Sequence, residues 1–169
     1  MELINQSIEI NPSKSTDKFT NFLINMKTNL LKKKYKKVFS DITHKEKQGT
    51  RSWELSQYKI MSLLKILKKK FFGKNKKENS KNIEKYFKII DEELEGWSIN
   101  VSSNKEHLNT YIQLYLEEIY LYAYYYKFNN KYIEAIGMLG LGERVIKEYI
   151  DECSNPKIIH KAQKILLFI

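Results

Sequence analysis

The chain has 169 residues, of which 42% are hydrophobic and 13% aromatic, and it carries a formal net charge of +10. This composition excludes an intrinsically disordered chain, and the length allows one domain with a core of its own. Two prolines and six glycines among long periodic runs favour helices over an all-β fold. The single cysteine, Cys153, excludes an internal disulfide.

The positive charge lies almost entirely in the first half of the sequence. Residues 1–81 contain 20 Lys and Arg against 7 Asp and Glu, whereas residues 82–169 contain 10 against 13. This asymmetry predicts an acidic partner for the first half: an acidic protein such as tubulin, an anionic lipid surface, an acidic sensor protein or a nucleic acid. Nucleic acid is not favoured, because the cations are mostly lysines and no recognition motif is present.

The sequence also predicts a cellular location. The N-terminus has no basic segment followed by an apolar one, as a signal peptide would, and no apolar run approaches the roughly 20 residues that span a bilayer. We therefore expect an intracellular protein, cytoplasmic or cytoskeletal, without a transmembrane segment. Its frequent Lys, Asn, Ile and Tyr resemble the composition of proteins from AT-rich protist genomes.

The chain begins with a predicted extended tail over residues 1–15, followed by a first helix over residues 16–39 that one of residues 15–17 would cap. Lys32, Lys33 and Lys34 crowd its last turns, where they form either a solvated face or part of a site for an acidic partner. Residues 41–50 are polar and predicted to form a loop. The helix itself is indicated by apolar residues at helical spacing: Phe19, Phe22, Leu23, Met26, Leu30 and Val38.

The second predicted helix spans residues 52–72 and has an aromatic residue near each end, Trp53 and Phe71. A basic amphipathic helix of this kind can dock on calmodulin or on an anionic membrane. The favoured interpretation is a core helix whose lysine stems cover apolar surface while their charged ends stay in water. Its candidate binding cations are Lys65, Lys68, Lys69 and Lys70. Residues 73–79 are expected to form an exposed basic loop.

A third helix is predicted over residues 80–95, ended by Gly96. Its acidic end has two interpretations: a solvated turn, which is favoured, or ion pairs with lysines of the first two helices. A metal site is disfavoured because these carboxylates point in different directions on a helix and no glycine-turned calcium loop surrounds them. The acids are Asp91, Glu92, Glu93 and Glu95. Residues 97–104 are predicted to be a connector.

The most apolar part of the chain follows. A capping box of Ser103 and Glu106 predicts the start of a fourth helix, whose tyrosines and leucines surround it on nearly all sides and place it at the centre of the fold. A fifth helix is expected from about Asn130, and its three interior glycines indicate close helix contact or a kink. A phosphate-binding loop is disfavoured, because no strand precedes these glycines and no Gly-Lys-Ser/Thr follows them. A sixth helix is expected from Pro156, and its apolar end forms a predicted partner contact through Ile165, Leu166 and Phe168.

Residues 107–169 resemble a tetratricopeptide-type helical hairpin. Ala123 and Ala135 match the small positions at which paired helices touch, and Tyr126 and Leu139 match the bulky ones. Such a hairpin cannot bury its own apolar face and needs neighbouring helices. The resemblance implies a scaffold or adaptor whose activity is binding, and it carries over no catalytic residue.

No pattern in the sequence indicates an enzyme. The histidines, His44, His107 and His160, are far apart in sequence, and Cys153 has no histidine near it. We predict no catalytic, cofactor-binding or metal-binding residue.

The sequence thus predicts an all-α protein of about six helices, arranged as antiparallel hairpins or a bundle. The expected divisions are the tail, a basic helical segment over residues 16–78 and a helical hairpin domain over residues 79–169. The predicted function is a non-enzymatic scaffold or adaptor, in a large assembly such as a cytoskeletal or ciliary one. Two alternatives stay open: a regulatory module that binds calmodulin or anionic membrane through residues 53–72, and a non-specific nucleic-acid binder.

Overall fold

The computed structural model describes residues 12–73, 80–101 and 105–149, and every regular element in these ranges is an α-helix. The helices are α1 (Pro12–Leu31), α2 (Tyr35–Lys47), α3 (Trp53–Phe72), α4 (Ser80–Val101), α5 (Lys105–Phe128) and α6 (Tyr132–Tyr149). The all-α prediction is confirmed. The helix predicted from Pro156, and residues 1–11 of the predicted tail, lie outside the described residues.

The first predicted helix is in fact two helices. The chain breaks at residues 32–34 and continues as α2, which includes most of the segment expected to be a loop. Residues 12–15, expected in the extended tail, are helical, so residues 15–17 are not a cap. Two fully buried side chains one turn apart, Val38 and Ile42, hold α2 against its neighbours. They form a small core with Met26 of α1 and Leu55 of α3.

Three helices end in the same hydrogen-bonded turn, a Schellman motif in which one residue adopts the left-handed conformation. Those residues are Lys33 (φ 57°) after α1, Gly49 (φ 85°) after α2 and Asn130 (φ 60°) after α5. After α1, for example, the amide of Lys34 donates to the carbonyl of Asn29, six residues back when both ends are counted. Glycine and asparagine tolerate this conformation well, whereas lysine rarely adopts it.

Two helices hold the molecule together. The first, α3, starts at Ser52, whose hydroxyl accepts a hydrogen bond from the amide of Leu55, and it packs against α1, α2, α4 and α5. The second, α5, packs against α3, α4 and α6, as expected for the predicted central helix. The core between α3, α4 and α5 is mostly aliphatic and aromatic, with members that include Leu64, Leu67, Phe71, Phe87, Ile90, Leu121 and Tyr125.

The third helix was predicted to end at residue 95, which is too early. In the structure α4 continues through Gly96 to Val101, because Trp97 packs against the core and its ring lies 5.6 Å from that of Trp53. The predicted connector is therefore helical as far as residue 101, while residues 102–104, which include Ser103 of the predicted capping box, lie outside the described residues. The four acidic residues lie inside a helix and not at its end.

Candidate interaction surface

Helix α6 is covered on one side only. It packs against α5 and against no other helix in the described part of the chain. Ala135, Val145 and Ile146 are buried in that contact. On the opposite side Ile133 is 84% exposed and Ile136 is 64% exposed, values that are high for large aliphatic side chains.

The exposed isoleucines belong to a wider apolar surface at the α5–α6 turn. Phe128, Tyr132 and Phe72 are each more than half exposed. The ring centroid of Phe72 lies 4.5 Å from that of Tyr124, so the end of α3 reaches the same region. We call the exposed residues at the end of α5 and on α6, Phe128, Tyr132, Ile133 and Ile136, the α6 apolar face.

A cavity of about 250 Å³ opens beside this face, between α5 and α6. Its walls are almost entirely apolar, and a single cation, Lys127, contributes to them. Both small residues of the tetratricopeptide resemblance, Ala123 and Ala135, take part, because short side chains leave the space open. The lining consists of Tyr120, Ala123, Tyr124, Lys127, Ala135 and Leu139.

Two of the three glycines of α6 are on the open side. A Cβ added at Gly137 or Gly140 would meet nothing within 4 Å, whereas one at Gly142 would lie 3.2 Å from Cγ2 of Ile119 on α5. Gly142 therefore serves the close helix contact that the sequence indicated, while Gly137 and Gly140 do not. Because Gly137 and Gly140 have no side chains, another helix can approach the outer surface of α6 closely. The helix is continuous from Tyr132 to Tyr149.

The aromatic ends of α3 lie in the core. Trp53 is 5% exposed and packs near Trp97 and His107, and Phe71 is 7% exposed and lies near Phe87. The favoured interpretation of this helix as a core element is confirmed. Docking of α3 on calmodulin or on a membrane would require it to leave the centre of the molecule.

The lysines of α3 mostly have partners within the fold. The ammonium group of Lys68 lies 2.6 Å from Oε1 of Glu117 on α5, and that of Lys65 lies 3.6 Å from the same atom. Lys69 and Lys70 sit over the rings of Tyr35 and Tyr86, with 5.9 and 4.8 Å between ammonium and centroid. These cations therefore tie α3 to neighbouring helices.

The predicted cations at the end of α1 have a different environment. Lys32, Lys33 and Lys34 are all exposed, and none has an ion pair with a carboxylate among the described residues. The predicted contact residues Ile165, Leu166 and Phe168 lie outside the described residues.

Lys59 forms an internal ion network that the sequence did not reveal. Its ammonium group lies 2.7 Å from Oε2 of Glu46 on α2 and 2.5 Å from Oε1 of Glu93 on α4, and Ser56 donates a hydrogen bond to the other oxygen of Glu93. Burial alone would lower the pKa of Lys59, but the hydrogen bonds to both carboxylates reverse the effect and raise it. Of the two interpretations of the acidic segment, ion pairing is thus correct for Glu93.

A second buried carboxyl group, Glu118, faces Asp91 and Tyr122. Glu118 is 1% exposed, and its Oε1 atom has no hydrogen-bond partner. Burial, reinforced by the nearby charge of Asp91, raises the pKa of Glu118 to about 9, so the group is neutral at pH 7. Burial likewise raises the pKa of Asp91, and burial together with a 2.9 Å hydrogen bond to Asp91 raises the pKa of Tyr122.

Among the described residues, no group of three or more His, Cys, Asp and Glu side chains is arranged to hold a metal ion. No helix in that part of the chain has the length and apolar character needed to cross a membrane. Comparison with protein-family models, curated proteins and solved structures finds no match to this chain. The arguments for function therefore come from its own surfaces.

Proposed function

We propose that this protein is a non-enzymatic helical scaffold that binds an apolar helix of a partner protein on the α6 apolar face. The observation that carries the proposal is the exposure of Ile133 and Ile136 on a helix that has a single neighbour among the described helices. Contiguous exposed apolar surface on a folded protein is typical of a protein-binding site.

The shape of the surface supports a helix as the bound element. Ile133, Ile136, Gly137 and Gly140 follow one another at three- and four-residue spacing, so they form one continuous strip along α6. The cavity beside the strip can take one large apolar side chain of the incoming helix, such as leucine or phenylalanine. Helix-in-groove recognition uses this combination of an apolar strip and a pocket for an anchor residue.

The expected placement in a cytoskeletal or ciliary assembly inside the cell stays a prediction. It is supported by the charge of the first half, which matches an acidic surface such as that of tubulin. The tetratricopeptide-like character of α5 and α6 is likewise a prediction. A hairpin of that type would use neighbouring helices to cover its open side, and here a partner would supply them.

The proposal is tested by replacing Ile136 with a photo-cross-linking amino acid in the full chain, expressed in the cells of origin. We expect a discrete protein adduct from this position. The matched control carries the same amino acid at Glu92, which is exposed on α4, a helix that does not contact α6, and it should give at most a tenth of the adduct.

A second variant, Ile133→Asp, should weaken the adduct from position 136, because it places a charge in the apolar strip. It should leave the thermal unfolding temperature unchanged, since Ile133 makes few contacts within the fold. Equal adducts from positions 136 and 92, or an adduct that Ile133→Asp does not affect, would show that the α6 apolar face is not a binding site.

A further inference from the structure

The turn between α1 and α2 forms a concentrated positive surface. Residues 27–51 contain nine Lys and Arg but two carboxylates, Asp41 and Glu46, and Glu46 is already paired with Lys59. We call the lysines at this turn the cationic corner. They are all exposed and have no ion pair with a carboxylate among the described residues: Lys32, Lys33, Lys34, Lys36 and Lys37.

Large apolar side chains lie next to these charges. Leu31, the last residue of α1, is 77% exposed, and Ile24 is 56% exposed. The two are seven residues apart and therefore lie on one side of the helix, separated by about 10 Å. Lys27 is exposed on the same side between them. The outer side of α1 thus combines aliphatic residues with a dense group of cations at its end.

The backbone at the corner adds an independent observation. Lys33 adopts the left-handed conformation, which is unfavourable for a lysine and is taken by glycine in the equivalent turn after α2. Glycine would make the same turn without this strain, but it would remove a charge from the centre of the corner. Strained backbone of this kind is frequently found at functional sites.

We infer that the cationic corner and the outer side of α1 form a docking site for an anionic lipid surface. The lysines contact lipid phosphate and carboxylate groups, while Leu31 and Ile24 enter the boundary between headgroups and acyl chains. This surface is separate from the α6 apolar face, and it is a different membrane-binding element from the α3 helix considered in the sequence analysis.

The exposed aliphatic residues favour lipid over nucleic acid. A nucleic-acid backbone offers phosphates to the lysines but no apolar environment for Leu31. In a bilayer the same residue is removed from water and contributes to binding. The contribution of Leu31 therefore distinguishes the two classes of partner.

The test is sedimentation of the full chain with lipid vesicles. Vesicles that contain phosphatidylserine should bind the protein, vesicles of pure phosphatidylcholine should not, and binding should decrease as salt is raised. The Lys33→Gly variant should bind about fivefold more weakly, which is the effect of one lysine near an anionic membrane. It should also unfold at a higher temperature, since glycine relieves the strain. Loss of binding and gain of stability in one variant cannot result from misfolding.

Two further variants complete the design. Leu31→Ser should weaken vesicle binding by at least the same factor without changing the charge. The matched control Lys147→Gln removes an exposed cation from α6, far from the corner, and should change binding less than twofold. The inference is overturned if phosphatidylserine vesicles fail to sediment the protein, if Lys147→Gln weakens binding as much as Lys33→Gly, or if duplex nucleic acid binds with an affinity that depends on Lys33 but not on Leu31.

Discussion

Glu118 shows how strongly one position can depend on its surroundings. Glu118 is a residue of α5, and its buried side chain faces Asp91 of α4. One oxygen of the Glu118 carboxyl group has no hydrogen-bond partner. The buried carboxyl is therefore held in its neutral form, in which its hydroxyl can donate a hydrogen bond to Asp91. Glu117, the preceding residue, has the opposite environment, because Lys68 and Lys65 approach its carboxylate.

The raised pKa of Glu118 predicts that stability falls as pH rises. Below the ordinary pKa of 4.5 the group is protonated in both the folded and the unfolded chain, so its ionisation does not change the free energy of unfolding. Between pH 4.5 and about 9 the carboxyl group is ionised in the unfolded chain and neutral in the folded one. The free energy of unfolding therefore falls by about 1.4 kcal/mol per pH unit, or roughly 3 kcal/mol by pH 7. Glu118→Gln should remove this loss, and urea unfolding at pH 4.5 and pH 7 measures it.

The control is Glu117→Gln, which deletes the ion pairs to Lys65 and Lys68 and should reduce stability at pH 7. It should retain the decrease between the two pH values. Some decrease is also expected to remain in Glu118→Gln, because the pKa of Asp91 is raised in the same direction. If Glu118→Gln and the unmodified protein lose equal stability between pH 4.5 and pH 7, Glu118 is ionised in the folded protein and its assignment here is wrong.

At the scale of single helices, the glycines of α6 provide a matched comparison. Replacing a helical glycine with alanine normally stabilises a protein by about 0.5–1 kcal/mol, because alanine loses less backbone freedom on folding. We expect this gain for Gly140→Ala, where the added methyl group meets open space. Gly142→Ala should gain less or lose stability, because its methyl group would lie 3.2 Å from Ile119.

Thermal or urea unfolding of the two variants tests this difference. A third measurement, Gly142→Ala combined with Ile119→Leu, should recover part of the lost gain relative to Ile119→Leu alone, since leucine has no Cγ2 atom to meet the added methyl group. Equal stabilisation by Gly140→Ala and Gly142→Ala would show that α5 and α6 are not in close contact at Gly142.

The helices differ in how well the sequence predicts them. The central position of α5 follows from a local signal, its nearly continuous apolar surface. The break after α1 has no such signal, because the residue in the left-handed conformation is Lys33 and its neighbours are also lysines, which are good helix formers. The extension of α4 past Gly96 depends on the contact of Trp97 with Trp53, which no local pattern contains.

The candidate surface was harder still to predict. Ile133 and Ile136 occur at helical spacing, and this pattern indicates an apolar strip without revealing whether the strip faces the core or solvent. Their exposure depends on which helices surround α6, and that is a property of the whole fold. The pairing of Lys59 with Glu46 and Glu93 likewise joins residues 13 and 34 positions apart.

At the scale of the whole molecule, the helices are unequally supported. Among the described elements α3 has four neighbours and α5 has three, whereas α6 has one. The buried ion pairs of Lys59 also join α2, α3 and α4. No comparable network joins α6 to the rest among the described residues.

This arrangement predicts that α6 opens before the rest of the protein unfolds. In native-state hydrogen exchange, the amides of residues 136–142 should exchange about tenfold or more faster than those of residues 60–67 in α3, because opening α6 disrupts one helix contact and not four. Leu64→Ala, which weakens the core between α3, α4 and α5, should accelerate exchange in α3 and leave α6 unchanged, because it destabilises the native protein and the state with α6 open equally. If α6 instead exchanges only with global unfolding, at the rate of α3, it is an integral part of the core. A docking helix is expected to open easily by itself and to exchange more slowly when a partner covers it. Repeating the exchange measurement with the cross-linked partner therefore connects the stability of α6 to the proposed binding.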